Sequence, residues 1–392
     1  MFAFFSSARK ALRRALLPAA LLGLAACDPA FDLSGGTGQS VNTAEPIPVA
    51  LLVPRGGSAT DNLLATDLEN AARLAIAGAG GVQIDLRVYG TAGNAATAGS
   101  QAALAIADGA KIIVGPLYAE AANAAGVAAA QSGVNVLAFS NNPTIAGGNV
   151  FVLGNTFENT ARRLVSFARG QGKNSIVVVH GQDVAGQLGR NAIQGAISSS
   201  GATLAGTVDY PLSQQGVVAA IPGIRSAVQS AGADAVFMTA PSAAALPLLA
   251  QLMPEQGIDP ATVQYIGLTR WDIPPQTLEL PGLQGGWFAL PDPAPSAAFR
   301  QRFEAAYGKA PHPLAGIAFD GIAAITALAG QGNSGALTAA ALTQGAGFQG
   351  ASGVFRLRPD GTTERGLAVA TVRDKKVVVI DAAPRGFGGF GS

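Results

Sequence analysis

Apolar residues along this chain follow two alternating patterns, short uninterrupted runs and longer stretches in which they recur at helical spacing. The stretch 111–142 shows both patterns most clearly. Residues 112–114 form a β-branched run without polar alternation, which is typical of a strand that is buried on both faces. Residues 118–132 are rich in alanine and poor in strand formers, which predicts a helix. A second buried strand follows at 134–139, so the pattern predicts a β-α-β unit with parallel strands.

The same alternation extends along the chain and predicts two lobes. In the first lobe, strands are predicted at residues 47–53, 82–89, 112–114, 134–139 and 150–153. In the second lobe, they are predicted at 175–179, 203–210, 235–238, 263–267 and 287–290. Helices at 296–307, 314–328 and 337–344 and strands at 353–357, 366–372 and 376–380 complete the chain. Because strands and helices alternate, the predicted fold class is α/β, with two doubly wound, Rossmann-like lobes.

The N-terminal segment has a different pattern. Four cations in residues 1–14 precede an apolar run at 15–26, which is too short to span a bilayer as an ordinary anchor. The run ends in Leu-Ala-Ala-Cys at Cys27, which resembles the cleavage box of bacterial lipoproteins. This resemblance implies a signal peptide at 1–26, lipidation of Cys27 and attachment to a membrane. Residues 27–45, rich in Gly, Ser and Thr, are expected to form a flexible tether.

Composition argues against several classes of function. The chain has 25 Lys and Arg against 24 Asp and Glu, without a basic patch, which argues against a nucleic-acid partner. One cysteine and two histidines, His180 and His312, are too few to predict a disulfide or a metal site. Neither a phosphate-binding loop nor a dinucleotide fingerprint is present, so no cofactor is predicted. No set of nucleophile, base and orienting group can be recognised, so an enzyme is not predicted.

Polar residues follow several of the predicted strands. Open α/β sheets bind ligands at the carboxyl ends of their strands, so these residues are candidates for a cleft that binds a small molecule. Trp271 is the most ligand-like, because an indole can stack on a ligand at low entropic cost. Two simpler interpretations stay open: ordinary loop polarity, and helix-dipole pairing for Glu120. The candidates are Arg55, Tyr118, Glu120, Ser140, Asn141 and Asn142 in the first lobe and His180, Asp183, Thr239, Ser242, Arg270 and Trp271 in the second.

The order of these elements resembles the type I periplasmic binding proteins, in particular those that bind branched-chain amino acids. The resemblance lies in the segments 48–54, 111–117, 134–140, 233–238, 318–322 and 348–361. It implies a hinge that the chain crosses three times, near 153–154, 289–290 and 348–352. The first lobe would then hold 46–153 and 291–347, and the second 154–290 and 348–384. The last residues, 385–392, are expected to be disordered.

Within that fold, Val-Gly-Pro-Leu at 114–117 and Val-Asn-Val-Leu-Ala-Phe-Ser-Asn at 134–141 also resemble the penicillin-binding protein activator lipoproteins. This resemblance implies a non-enzymatic lipoprotein, anchored in the periplasm to the inner or outer membrane of a Gram-negative bacterium. Its partner would be a peptidoglycan synthase, which it stimulates by contact. One departure is that enteric activators have a helical-repeat domain where this chain has a short tether.

The alternative function is that of a solute-binding lipoprotein, which passes an amino acid or similar solute to an ABC permease. Relatives that serve transporters place a hydroxyl residue just after the Gly-Pro-Leu turn. This chain has Tyr118-Ala119-Glu120 there, which weakens the expectation of an amino-acid ligand.

Overall fold

Two sheets, each packed between helices, form the two lobes in the computed structural model, which describes residues 37–387. The first sheet contains β1 (Ile47–Val53), β2 (Ile84–Gly90), β3 (Ile112–Val114), β4 (Asn135–Ala138) and β5 (Val150–Val152). Its order is β2-β1-β3-β4-β5, with every neighbouring pair parallel. The helices between these strands are α1 (Ala59–Ala77), α2 (Ala95–Ala107) and α3 (Ala119–Ala130). The predicted β-α-β unit is confirmed as β3, α3 and β4.

The central strand β1 shows why its sequence lacks polar alternation. Val49, Leu51 and Val53 point to one apolar core of the first lobe. Ala50 and Leu52 point to a separate core on the other face of the sheet. All five side chains are fully buried, so both faces of this parallel strand require apolar residues. By contrast β2, whose polar residues alternate, lies at the edge of the sheet, as its pattern predicts.

The second lobe repeats the same architecture. Its parallel strands are β6 (Ser175–Gly181), β7 (Thr203–Tyr210), β8 (Ala235–Met238), β9 (Gln264–Gly267) and β10 (Trp287–Pro291). Its helices are α4 (Phe157–Gly170), α5 (Val184–Ser200), α6 (Gln214–Ala231) and α7 (Ala245–Glu255). Two apolar cores again cover the two faces of the sheet.

After β10 the chain returns to the first lobe. There it forms α8 (Pro293–Tyr307), α9 (Gly316–Ala329), α10 (Ala339–Leu342) and a small antiparallel sheet of β11 (Phe348–Gly350), β12 (Gly353–Leu357) and β13 (Thr363–Arg365). Helix α8 begins three residues before its predicted start, because Asp292 caps it and Pro293 fits the first helical position. The rings of Phe348 and Phe355 pack 5.5 Å apart in the core of the first lobe.

The last two strands, β14 (Leu367–Arg373) and β15 (Lys376–Asp381), complete the second sheet. Its order is β15-β14-β10-β9-β8-β6-β7, and β14 and β15 are antiparallel to their neighbours. The chain therefore enters the second sheet for the last time at Leu367, later than the expected crossing near 348–352. The α/β fold class, with two lobes of mainly parallel sheets, is confirmed.

Part of the expected tether lies on the first lobe. The Gly38 amide donates to the Gly133 carbonyl and the Val41 amide to the Ser334 carbonyl, both at 2.9 Å. The Asn135 side chain donates to the Thr37 carbonyl at 3.2 Å. The expectation of a flexible tether over 27–45 therefore does not hold for residues 37–41, because they pack against the folded lobe.

The expected signal peptide at 1–26 and the lipidated Cys27 lie outside the described residues, as do the last five residues of the expected tail, 388–392. Within the tail, Phe387 is described, and its ring lies 4.8 Å from the guanidinium of Arg356. Among the described residues, no helix is both long enough and apolar enough to cross a membrane.

Gly115, in the turn after β3, is expected to be intolerant of substitution. Its φ is +92°, and a β-carbon there would lie 2.1 Å from the Leu52 carbonyl oxygen of β1. We predict that Gly115→Ala lowers the free energy of unfolding by at least about 2 kcal/mol, measured by urea denaturation. Gly109→Ala is the control, because Gly109 has φ +95° but open space around it. An equal loss in both variants would contradict a role for the close approach to β1.

Candidate functional site

The predicted polar residues of the first lobe lie together at one edge of its sheet, because β1, β3 and β4 are neighbours. Arg55, after β1, donates to Glu69 at 2.7 Å. Tyr118, after β3, donates its hydroxyl to Asp61, which also accepts from the Ser58 hydroxyl at 2.8 Å. The Tyr118 bond lowers the pKa of Asp61, and the same bond raises the pKa of Tyr118. Tyr118 therefore connects the β3 turn to the start of α1, and Arg55 connects the β1 turn to the middle of the same helix.

The turn after β4 is held by its own side chains. Ser140 is buried, and its hydroxyl accepts from the Asn142 amide at 3.1 Å. The Asn142 side chain in turn accepts from the Thr144 amide at 3.0 Å. Asn141 is exposed. Glu120 is also exposed in the first turn of α3, which is the position expected for helix-dipole pairing.

In the second lobe, β6, β8 and β9 are adjacent, so their polar ends also meet. Asp183 caps α5 by accepting from the Gly186 amide at 3.2 Å. Thr239 accepts from the Gly181 amide at 3.4 Å, and the Ser242 hydroxyl donates to the Ile273 carbonyl. The sequence predicts that His180 faces the cleft, but its side chain is only 4% exposed, and its Nδ1 lies 2.8 Å from the Gly181 carbonyl oxygen. This prediction is corrected because the imidazole is enclosed within the strand end.

The prediction for Trp271 also needs correction. Its side chain is 0% exposed and belongs to one core of the second lobe, where it packs 5.8 Å from Phe288. A β-carbon on Gly267 would lie 2.2 Å from the indole Nε1, and one on Gly286 would lie 2.4 Å from its Cζ3. The indole therefore fills a slot between two glycines and is unavailable for stacking on a ligand.

A cavity of about 380 Å³ lies between the lobes, beside the segments where the chain crosses from one to the other. The second lobe contributes the loop after β9, and the first contributes parts of α8 and the segment leading into α9. Of the predicted residues, only Arg270 lines it. The polar lining residues that sequence reasoning missed are Asn155, Thr160, Ser296, Arg300, His312, Asp320, Ser352 and Arg365.

Most of these missed residues lie on helices, on the loop between α8 and α9 and on the crossing segments rather than at the predicted strand ends. Asn155 follows the first expected crossing, so the resemblance could have indicated it. Arg300 lies within a helix whose pattern gives no sign of which side faces the second lobe. The packing of the two lobes decides which of these residues line the cavity, and the sequence around each residue does not indicate it.

The charged groups at the cavity differ in how they are paired. Arg270 makes two hydrogen bonds to Asp272, one of them at 2.9 Å. Arg365 forms an ion pair with Asp320 at 2.7 Å. Arg300 is exposed and makes no ion pair with another described residue. Residues 37–387 contain no cluster of His, Cys, Asp and Glu that could hold a metal ion.

Asp320, on α9, organises the hinge from one end of the cavity. Its Oδ1 accepts from the Ala351 amide at 2.7 Å, and its Oδ2 accepts from Arg365. Arg365 also donates to the Leu153 carbonyl at 2.9 Å through Nε. Asn159 binds the backbone of Arg365 on both sides, at 3.2 Å each. One buried carboxylate and one arginine therefore hold the first and last crossing segments together.

Glu364, on β13, forms ion pairs with Arg356 and Arg358 beside the last crossing segment. Its Oε2 accepts from Arg356 at 2.8 Å and from Arg358 at 2.6 Å. Burial has the largest single effect on its pKa and raises it, but the hydrogen bonds and positive charges of the two arginines together outweigh burial and lower the pKa below 4.5. The stability that Glu364 gains from the two arginines is therefore present above pH 4.5. It is lost as the pH falls through the lower pKa of Glu364 in the folded state.

We predict that Glu364→Gln lowers the free energy of unfolding at pH 7 by roughly 1.5 kcal/mol, because two charge-assisted hydrogen bonds lose their anion. The difference from the original chain should shrink when urea denaturation is repeated at decreasing pH below 4.5. Glu304→Gln, at an exposed position of α8, is the matched control and should show neither effect. A pH-independent loss in Glu364→Gln would contradict the electrostatic explanation.

Comparison with known proteins identifies the two-lobed architecture. A family model described as periplasmic binding protein matches residues 46–376. The chain belongs to the periplasmic binding protein family. Family membership implies a location in the periplasm. A search of curated proteins finds no match to this chain.

Solved structures support the type I form of the fold. One is described as a branched-chain amino acid ABC transporter from Rhodospirillum rubrum, with 18% identity over 86% of this chain and 100% of that chain and a TM-score of 0.73. A substrate-binding protein from Desulfitobacterium hafniense in complex with Leu has 19% identity over 86% and 100%, and a TM-score of 0.62. A solute-binding protein from Rhodopseudomonas palustris in complex with 3,4-dihydroxybenzoic acid has 18% identity over 88% and 98%, and a TM-score of 0.57. At these identities the likeness shows the fold.

Proposed function

We propose that this periplasmic binding protein is the solute-binding component of an ABC transporter. It would bind a small molecule in the cavity between its lobes and present it to a permease. The observation that supports this function is the cavity itself, which both lobes and the hinge line and whose 380 Å³ suits a small ligand. A ligand that contacts both lobes binds their closed arrangement more tightly, which gives the permease a state to recognise.

The proposal includes attachment to a membrane through Cys27. The apolar run at 15–26 and the Leu-Ala-Ala-Cys sequence support cleavage before Cys27 and lipidation of its sulfur. Residues 28–36 would then separate the lipid from the point where the chain packs on the first lobe. Electrophoretic mobility and metabolic labelling with a fatty acid, compared between the original chain and Cys27→Ser, would test the anchor.

The second candidate function is activation of a peptidoglycan synthase by contact. What supports it is that many polar strand ends are already occupied within their own lobe. Ser140 and Asp183 accept hydrogen bonds from backbone amides of their own turns, and Thr239 accepts one from the neighbouring strand end at Gly181. A protein that acts through its outer surface would need no free groups at these edges.

A thermal-shift screen of residues 28–392 tests the two functions against each other. The panel contains amino acids, aliphatic and aromatic carboxylates, short peptides and muropeptide fragments. A ligand at 100 times its Kd is expected to stabilise the protein by about 2.7 kcal/mol. A clear shift supports solute binding. No shift across the panel, together with recovery of a synthase by pull-down, would support the activator instead.

A blocked variant makes the screen specific for the cavity. Leu314→Trp places an indole at the cavity lining, and it should abolish the ligand-dependent shift. Leu63→Trp adds the same side chain at an exposed position of α1 outside the lining and should leave the shift unchanged. A shift that survives Leu314→Trp would place the ligand elsewhere.

A further inference from the structure

The cavity between the lobes has an excess of positive charge. Its described lining contains three arginines and one carboxylate, Asp320. Two of the arginines are already neutralised, Arg365 by Asp320 and Arg270 by Asp272. Arg300 has no such partner among the described residues. A bound solute therefore meets one guanidinium whose charge is not compensated by the protein.

Among the described residues, the same lining has no free carboxylate for a positively charged group. Asp320 is 1% exposed, and each of its carboxylate oxygens is engaged, one by the Ala351 amide and the other by Arg365. A ligand ammonium would therefore lose water without gaining a counter-ion, and the uncompensated Arg300 would repel it. Removing an ion from water without a partner is unfavourable, so an ammonium group weakens the binding of a ligand in this cavity.

Most of the remaining lining is apolar. Its larger apolar side chains from the β9 loop, β10, α8 and the start of α9 include Leu268, Ile273, Leu290, Phe299, Leu314 and Ile317. Binding is favoured when such a surface buries the hydrocarbon part of a ligand, and most of the surface offers no partner for polar groups on that part. The lining thus combines a mainly apolar surface with a few neutral polar groups and one uncompensated cation.

We propose that the solute is a small monocarboxylate with an apolar body and no ammonium group, and that Arg300 binds its carboxylate. A guanidinium suits this task because its planar donors match the two oxygens of a carboxylate. This inference rests on the proposed function, since it names the class of solute that the same cavity takes. The proposed solute differs from an amino acid in lacking the α-ammonium, the group for which the cavity has no free carboxylate.

Two matched ligand series test the class by isothermal titration calorimetry on residues 28–392. Isocaproate, leucine and isoamylamine share one apolar side chain, and hydrocinnamate, phenylalanine and phenethylamine share another. In at least one series the carboxylate should bind at least roughly tenfold more tightly than the amino acid. The amine should show no binding.

Arg300 is tested with variants on one helix. Arg300→Gln should weaken carboxylate binding roughly 10- to 100-fold, the effect of losing a charged hydrogen-bond donor. Arg300→Lys should lose less, because it keeps the charge without the planar donors. Arg302→Gln is the matched control, since Arg302 lies over the ring of Phe319 and does not line the cavity. Its binding should equal that of the original chain.

The outcomes separate this inference from the proposed function. Tighter binding of leucine or phenylalanine than of the matching carboxylate would overturn the monocarboxylate class and leave solute binding intact. Carboxylate binding that Arg300→Gln does not weaken would overturn the role of Arg300. If none of the six compounds binds, the inference fails, and the broader thermal-shift panel then decides whether solute binding fails with it.

Discussion

Replacing Asp320 with asparagine is expected to lower the free energy of unfolding by about 3–5 kcal/mol, the cost of breaking a buried ion pair by removing one partner. Asp320 is 1% exposed, and its partner Arg365 has a side chain that is 10% exposed. An asparagine could still accept from the Ala351 amide, but its amide group would then point donors at the Arg365 guanidinium. The arginine would stay buried with the Leu153 carbonyl as its remaining strong partner.

The measurement is urea denaturation of Asp320→Asn beside Asp272→Asn. Asp272 also pairs with an arginine, but that arginine has a side chain that is 40% exposed, so water can replace the lost partner. Its loss should therefore stay below about 1 kcal/mol. A double replacement, Asp320→Asn with Arg365→Met, should recover part of the loss, because no unpaired charge remains. If Asp320→Asn were no worse than Asp272→Asn, the ion pair would not be what holds the crossing segments together.

Much of the fold was predictable because the pattern of apolar and polar residues in a strand indicates whether one or both of its faces are buried. The run at 112–114 has no polar residue, and the structure buries both of its faces between helices. The alternating run of β2 similarly indicated an edge. What the pattern did not reveal were the short strands β11 and β13, of three residues each, whose existence depends on pairing with β12. Without β11 and β13, the sequence places the third crossing at 348–352, before β12, whereas the chain enters the second sheet only at Leu367.

The candidate site was less predictable, because a strand end gives the place of a residue but not the direction of its side chain. The rule for parallel sheets brought Arg270 to the cavity, yet it placed His180 in the cleft although the imidazole is buried. The cavity itself joins residues far apart in the chain, such as Asn155, Arg300 and Ser352. Their meeting depends on how two lobes are joined, which no local pattern of one chain reports.

Trp271→Ala is expected to lower the free energy of unfolding by about 3–5 kcal/mol, the range for truncating a large aromatic side chain in a core. Trp271 is among the largest side chains that are fully buried, and it fits between Gly267 and Gly286, where no other side chain intervenes. Its indole Nε1 has no hydrogen-bond acceptor among the described residues. Trp271→Phe should therefore lose less, because it also removes a buried donor that has no partner.

Trp287→Ala is the matched control for the loss of stability expected in Trp271→Ala. Trp287 is partly exposed and packs edge-on against Phe167 at 4.9 Å, so its truncation should cost less than about 2 kcal/mol. The chain has two tryptophans, so Trp287→Phe isolates the fluorescence of Trp271. A core position predicts that iodide does not quench this fluorescence. Strong quenching would contradict the core position and indicate that the indole lies in the cleft. A Trp271→Ala variant of full stability with impaired solute binding would indicate the same. Full stability would be incompatible with its packing between two glycines, because the vacated slot has no neighbouring side chain positioned to fill it.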